Sequence, residues 1–114
     1  MSRRCYELPV FERHRGEYLS DEAFTMLQAT LIKSPEAGDL IVETGGLRKL
    51  RFADLRRGKG KRGGLRGIYC WWQGGSQFWL YTLYDKDERD DLAPEQRKNL
   101  KSMLKAELEA RRKA

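Results

Sequence analysis

The sequence is poor in the residues that build disulfide frameworks and metal centres. It has two cysteines, Cys5 and Cys70, without CxxC spacing, and a single histidine, His14. A small secreted domain stapled by disulfides needs more cysteines, and a structural zinc site needs four ligands of these types. We therefore predict no metal site, no cofactor, and two reduced thiols buried in strands.

Long apolar runs are also missing. Hydrophobic residues make up 39% of the 114 residues, and no stretch approaches the roughly 20 apolar residues that cross a membrane. The basic N-terminus is followed by Glu7, Pro9 and Glu12, which interrupt any signal-peptide core. These features predict one cytoplasmic domain, residues 1–114, with no membrane partner.

Positive charge is concentrated in one segment. Between Leu47 and Arg66 there are nine Lys or Arg residues and one acid, Asp54, which leaves fourteen basic and sixteen acidic residues elsewhere. The whole excess behind the net charge of +6 therefore lies in about a sixth of the chain. A patch of this sign typically binds phosphate, as in nucleic acids.

Hydrophobic periodicity and capping residues predict an α+β fold. Ser20 is a good helix N-cap, Ser34-Pro35 ends that helix, and Pro94 suits the start of another. The predicted elements are strand Cys5–Leu8, a helix from Pro9 toward Leu19, a helix from Ser20 to Ser34, a brief extended piece at Leu40–Val42, strands Leu47–Phe52, Leu65–Trp72 and Gln77–Tyr84, and a final helix that buries Leu100, Met103, Leu104 and Leu108. This order predicts helices packed on one face of a small antiparallel sheet.

The glycine-rich basic loop, residues 56–64, is not a P-loop. Gly58 and Gly63 have the required spacing, but Gly64 and Leu65 occupy the positions of the essential Lys and Ser/Thr. A solvated surface loop is one interpretation. The alternative is a phosphate-binding loop, because the strands on either side carry cations of their own.

Aromatic residues crowd the two strands after that loop. Most of them belong to the core of so small a domain, although one or two on an open face could stack on bases. Alternation places Tyr69 and Trp71 on one face, with Cys70 and Trp72 on the other.

RNA cleavage requires attack of a 2′-hydroxyl on the adjacent phosphate and protonation of the leaving 5′-oxygen. One histidine excludes a His pair, and few acids lie near the basic strands in the sequence. Catalysis would then use Lys, Arg and Tyr. Crowded cations lower the pKa of a neighbouring Lys and stabilise the negative charge that develops on phosphorus. The residues alone leave an RNA-binding module and a nuclease both open.

Several motifs resemble the HigB-type members of the RelE toxin family. They cover roughly residues 8–105 and comprise Leu19-Ser20-Asp21-Glu22, Pro35-Glu36-Ala37-Gly38-Asp39, Thr44-Gly45-Gly46-Leu47-Arg48-Lys49-Leu50-Arg51, Gly58-Lys59-Gly60-Lys61-Arg62-Gly63-Gly64-Leu65-Arg66-Gly67-Ile68-Tyr69 and Asp91-Leu92-Ala93-Pro94-Glu95-Gln96. The resemblance implies a RelE-like fold, a small antiparallel sheet with two N-terminal helices and a C-terminal helix. It also implies metal-independent cleavage of messenger RNA in the ribosome, and a cognate antitoxin, helix-turn-helix and HigA-like, as partner.

The resemblance further implies roles for individual residues. Lys49, Arg51, Arg66 and Lys86 match catalytic positions, and Arg48, Lys59, Lys61, Arg62 and Tyr69 are the expected contacts to RNA or ribosome. The sequence departs from the family at Lys86-Asp87-Glu88, where Lys-Asn-Glu is common, and no tyrosine follows Tyr84 to match the C-terminal catalytic tyrosine of RelE. Two alternatives remain: a gyrase-poisoning relative on the same fold, and a non-catalytic RNA- or ribosome-binding module.

Overall fold

The computed structural model describes residues 3–53, 64–86 and 91–113. The elements are β1 (Arg4–Glu7), α1 (Pro9–Tyr18), α2 (Asp21–Lys33), β2 (Asp39–Leu40), β3 (Arg48–Phe52), β4 (Leu65–Trp72), a short 3-10 turn (Gln73–Gly75), β5 (Gln77–Asp85) and α3 (Pro94–Lys113). This order agrees with the sequence-based prediction of an α+β domain. Among these helices, none is long and apolar enough to cross a membrane.

Local chemistry sets the helix boundaries. The Ser20 hydroxyl accepts a hydrogen bond from the Ala23 backbone N–H at 3.1 Å, which caps α2. Pro9 opens α1, and Pro94 opens α3. At the start of α3 the Gln96 side chain accepts a hydrogen bond from the Ala93 N–H at 2.9 Å. This bond stabilises the helix start, although Ala93 has no polar side chain to cap it.

The five strands form one sheet in the order β1-β5-β4-β3-β2. β2, β3, β4 and β5 are antiparallel neighbours, whereas β1 runs parallel to β5. The sheet is therefore mixed and not purely antiparallel. α1 and α2 carry the chain from the β1 edge of the sheet to the opposite edge. The strands from β2 to β5 then run back across the sheet, so that β5 ends beside β1.

The helices cover both faces of the sheet, and the prediction of a single covered face was wrong. The core on the α1/α2 face contains Phe11, Leu19, Leu27, Leu31, Leu50, Leu65, Tyr69, Phe78, Leu80 and Leu83. The core on the α3 face contains Leu47, Ile68, Cys70, Trp79, Tyr81, Tyr84, Leu92, Leu100 and Leu104. Because the two central strands are buried on both faces, they read as nearly continuous apolar runs. Met103, predicted as part of the buried face of α3, is 44% exposed.

An extra residue in β5 changes its facing pattern. Tyr69 pairs with Leu80, but Ile68 pairs with Thr82, which leaves Tyr81 without a partner in the register. This β-bulge puts Tyr81 and Tyr84 in the α3-face core, and Leu80 and Leu83 in the other.

The turn that joins β2 to β3 spans residues 41–47. Glu43, Gly45 and Gly46 all have positive φ, at 62°, 80° and 130°. The buried Thr44 hydroxyl donates to Ile41 O at 2.6 Å and accepts from the Leu47 N–H at 3.2 Å. The turn thereby fixes where β3 starts, and with it the face on which each cation of β3 lies.

Candidate nucleic-acid interface

Three cations meet on the α3 face of the sheet. Arg51 of β3 lies directly opposite Arg66 of β4, and Lys49 is opposite Ile68. Side chains alternate along a strand, so Lys49, Arg51 and Arg66 share the face that carries Ile68. On the other side of β4, Tyr84 is opposite Arg66. A row of Arg51, Arg66 and Tyr84 thus crosses three strands on one face.

The three cations on this face, Lys49, Arg51 and Arg66, differ in exposure. The Arg51 side chain is 50% exposed, and its Nη1 lies 3.3 Å from Asp39 Oδ2. Lys49 is mostly buried, with Nζ 3.5 Å from Asp91 Oδ1. Arg66 is only 3% exposed, and its Nη1 donates to Leu65 O at 3.2 Å. Arg51 is therefore the cation of the row that solvent reaches most easily, while Arg66 adds positive charge from within the sheet.

Two carboxylates adjoin these cations, although the sequence suggested that few acids lay near the basic strands. Asp39 reaches Arg51 because β2 pairs with β3, and Asp91 reaches Lys49 because it lies just before α3. The pKa of Asp91 is lowered, first by the hydrogen bond from the Leu92 N–H and then by Lys49 and Arg97. The Asp91-Leu92-Ala93-Pro94 start of the helix was the only sequence signal for this acid.

Lys86 comes one residue after the end of β5. Its backbone N–H donates to Gly64 O at 3.1 Å, which ties it to the start of β4. Leu65 is opposite Asp85 in the register, so Lys86 lies at the same end of the sheet as Arg51 and Arg66.

Tyr69, an expected contact to RNA or ribosome, is buried inside the protein. It is 2% exposed and belongs to the α1/α2-face core. Its hydroxyl donates to Pro35 O at 2.8 Å and accepts from the Gly38 N–H at 3.0 Å. Burial is the main cause that raises its pKa. Tyr69 therefore anchors the segment that connects α2 to β2.

Arg48 does not join the row either. It lies opposite Tyr69, on the α1/α2 face, where its Nη1 donates to Gly38 O at 2.8 Å and its Nη2 lies 3.6 Å from a carboxylate oxygen of Glu36. The alternation of β3 explains the separation, because Arg48 and Lys49 are consecutive. The predicted loop contacts Lys59, Lys61 and Arg62 lie outside the described residues.

In the part of the chain that the structure describes, no three His, Cys, Asp or Glu side chains come together. What the surface offers is positive charge on a rigid sheet, which suits binding of phosphate oxygens and stabilisation of added negative charge.

Comparison with solved structures identifies the fold of this small α+β domain. The chain is similar to a mutant of the E. coli toxin RelE in its free state, with a TM-score of 0.51 and 14% sequence identity. The match covers 79% of this chain and 90% of that one. No known family profile matches the sequence. The chain therefore has the RelE fold, which the sequence motifs had predicted; at this identity the likeness establishes the fold only.

Proposed function

We propose that this protein is a toxin of a type II toxin–antitoxin module, a ribosome-dependent endoribonuclease of the RelE/HigB kind that cuts messenger RNA. It acts in the cytoplasm and inhibits translation. Its activity is held in check by an antitoxin, which we expect to be a HigA-like helix-turn-helix protein. The RelE fold supports this proposal, and the residues on the α3 face of the sheet support its chemistry.

The observation that carries the proposal is the pairing of Arg51 with Arg66. Like charges directly opposite each other on neighbouring antiparallel strands destabilise a sheet. Lys49 adds a third positive charge on the same face. Asp39 and Asp91 offset the charges of Arg51 and Lys49 in the structure. A phosphodiester, an anion whose geometry suits arginine, can take the place of these carboxylates when RNA binds.

The proposed reaction is an intramolecular transesterification of RNA. The 2′-oxygen attacks the adjacent phosphorus, the bond from phosphorus to the 5′-oxygen breaks, and a 2′,3′-cyclic phosphate and a 5′-hydroxyl result. Arg51 binds a non-bridging oxygen, and Arg66 adds to the positive field that stabilises the pentavalent transition state. Lys49 and Lys86 are the proposed proton carriers, one taking the proton of the 2′-hydroxyl and the other protonating the 5′-oxygen.

The ribosome has a defined part in this proposal. A positioned acid or base supplies about 10²–10⁴-fold in rate, which is modest for RNA cleavage. Holding the RNA with its 2′-oxygen in line with the leaving oxygen adds much more. We propose that the decoding site of the ribosome provides this alignment, so cleavage occurs in translated messages.

The test is induced expression in a bacterial cell with mapping of messenger 5′ ends. The wild-type chain is expected to stop growth and to create new 5′ ends inside translated frames, and Arg51→Gln is expected to abolish the new ends. Arg48→Gln is the matched control, because Arg48 lies on the same strand but on the opposite face. It should retain cleavage, provided that its melting curve shows a folded protein.

Other outcomes of the same experiment oppose the proposal. Growth arrest without new messenger ends, but with double-strand breaks in DNA, would assign the chain to a gyrase-poisoning relative. Absence of both arrest and cuts, with retained association with ribosomes, would leave a non-catalytic RNA- or ribosome-binding module.

A further inference from the structure

The two flanks of α3 carry different side chains. The flank that faces the β2–β3 turn carries Lys101, Lys105 and Arg112, which line a shallow groove of about 280 Å³ against Thr44 and Gly45. The flank that faces α1 and β5 carries uncharged residues, Gln96, Asn99 and Met103. The positive charge of α3 is therefore directed to one side of the molecule, the side of the β2 edge.

The three cations of this basic flank have no ion-pair partner among residues 3–53, 64–86 and 91–113. Within the described part of the chain, no carboxylate oxygen lies within 4 Å of Lys101, Lys105 or Arg112, although Glu109 shares their groove. The next cation along the helix, Arg111, does have such a partner, with its Nη2 3.1 Å from Glu107.

At its N-terminal end the basic flank leads to Lys49 on the sheet. Arg97 precedes Lys101 by one helical turn and lies close enough to Asp91 to affect its ionisation. Asp91 in turn contacts Lys49. The Nε of Arg97 is buried and has no hydrogen-bond partner among the described residues. At a rise of about 1.5 Å per residue, neighbouring cations are about 6 Å apart from Arg97 to Lys105, and the series reaches about 22 Å along the axis at Arg112.

We propose that this flank of α3 is a second RNA-binding surface, a track of cations that binds the phosphates of an RNA strand extending away from the sheet face. The inference deepens the proposed function, since it takes RNA as the ligand of the sheet face. Lysine suits such a track, because its flexible stem and compact charge follow a backbone without reading bases.

An acidic protein partner fits this flank less well. Protein interfaces are built around exposed apolar or aromatic anchors at their centres. On this flank Leu104 is 2% exposed, and Leu108 is partly buried against the same core. The exposed side chains that line the groove on α3 are the charged Lys101, Lys105, Glu109 and Arg112. Of the exposed apolar residues, Val10 and Met103 line the cleft on the other flank, and Leu40 and Val42, at the β2 edge, do not line the basic groove.

The test measures binding of a 2′-O-methylated oligouridylate, whose blocked 2′-oxygen prevents the proposed cleavage. Affinity is measured over a range of salt concentrations for the wild type and for Lys101→Gln/Lys105→Gln. Each lost contact to a single strand flattens the slope of log K against log salt by about 0.7, so two lost contacts reduce it by about 1.4 and weaken binding roughly 25-fold at about 0.1 M salt.

The matched control is Arg13→Gln/Lys33→Gln. It removes the same net charge from exposed positions on α1 and α2, which cover the opposite face of the sheet. The control should keep the wild-type slope. Equal slopes for the two double variants would overturn the inference. So would an equal loss of binding to poly-glutamate of matched length, because the flank would then bind acidic polymers in general.

Failure of the inference and failure of the proposed function give different results. A wild type that cuts messenger RNA while Lys101→Gln/Lys105→Gln binds the probe like the control would refute only the second surface. A wild type that cuts nothing, while the same variant shows the flattened slope, would refute the nuclease and support the track.

Discussion

Lys49 and Asp91 form an ion pair that joins the middle of β3 to the start of α3, with Lys49 Nζ 3.5 Å from Asp91 Oδ1. The pair affects both the structure and the chemistry of the site. It holds the segment before α3 against the sheet, and it places a carboxylate on the cation where we expect an RNA phosphate. Binding of RNA at Lys49 therefore has to compete with Asp91.

The first prediction concerns the pH dependence of stability at this pair. The pKa of Asp91 in the folded chain is lowered from 3.8, mainly by the hydrogen bond from Leu92 and further by Lys49. A lowered pKa stabilises the fold above about pH 4, and this contribution is lost as the pH falls through the lowered value. Since the Asp91 side chain is 62% exposed, we expect only about 0.2–1 kcal/mol. Urea midpoints of wild type and Asp91→Asn should differ at pH 7 and converge as the pH falls below 3.8; a constant difference would contradict this.

Tyr69→Phe is the second prediction, and it separates a structural role from RNA stacking. The variant leaves the buried Gly38 N–H without its acceptor and Pro35 O without its donor. We expect a loss of about 1–3 kcal/mol in the free energy of unfolding, measured with urea. RNA binding by the folded variant should be unchanged. A variant of wild-type stability that binds RNA more weakly would return Tyr69 to the interface.

A third prediction concerns how the end of α3 is attached to the sheet. The Arg111 guanidinium lies 5.3 Å from the ring centre of Trp79 and 5.6 Å from that of Trp72, and it also contacts Glu107. Arg111→Gln should lower the unfolding free energy by about 0.5–2 kcal/mol and change the tryptophan emission. Arg112→Gln, one residue further and exposed, should change stability by less than about 0.5 kcal/mol. Equal effects of the two substitutions would show that the Trp contacts contribute nothing.

The two thiols give the fourth prediction. Burial raises the pKa of both Cys5 and Cys70 from 9.0 to about 11. The thiolate is the reactive form, so at pH 8 we expect labelling of the native chain by a disulfide reagent about a hundredfold slower than that of an ordinary thiol. In denaturant both thiols should react at once. Rapid labelling of Cys5 alone in native buffer would show that β1 opens at the sheet edge.

The sequence predicts the elements of this fold well because their signals are local. Pro9, Ser20 and Pro94 mark helix starts through interactions within one turn. The separation of Lys49 from Arg48 also follows from alternation alone. Which face each helix covers depends on the path of the chain. The nearly continuous apolar runs of β4 and β5 were the signal that both of their faces are covered, but the alternation of side chains favoured one open face.

The site was harder to predict because it depends on register. Placing Arg66 between Arg51 and Tyr84 requires the pairing of three strands and the bulge at Tyr81. Simple antiparallel counting from Tyr69 and Leu80 would have placed Leu83, not Tyr84, opposite Arg66. Asp91 was missed for a related reason, since its contact with Lys49 joins residues that are far apart in sequence.

The bulge at Tyr81 also shows where the length of β5 can vary in related proteins. Loss of Thr82 would remove the bulge and place Tyr81 opposite Ile68, while Leu83 stays opposite Gly67 and Tyr84 stays opposite Arg66. One residue added between Leu83 and Tyr84 would instead take the place opposite Arg66 and turn Tyr84 to the other face of the sheet. Relatives that keep this site should therefore lack one residue near Thr82 far more often than they gain one between Leu83 and Tyr84.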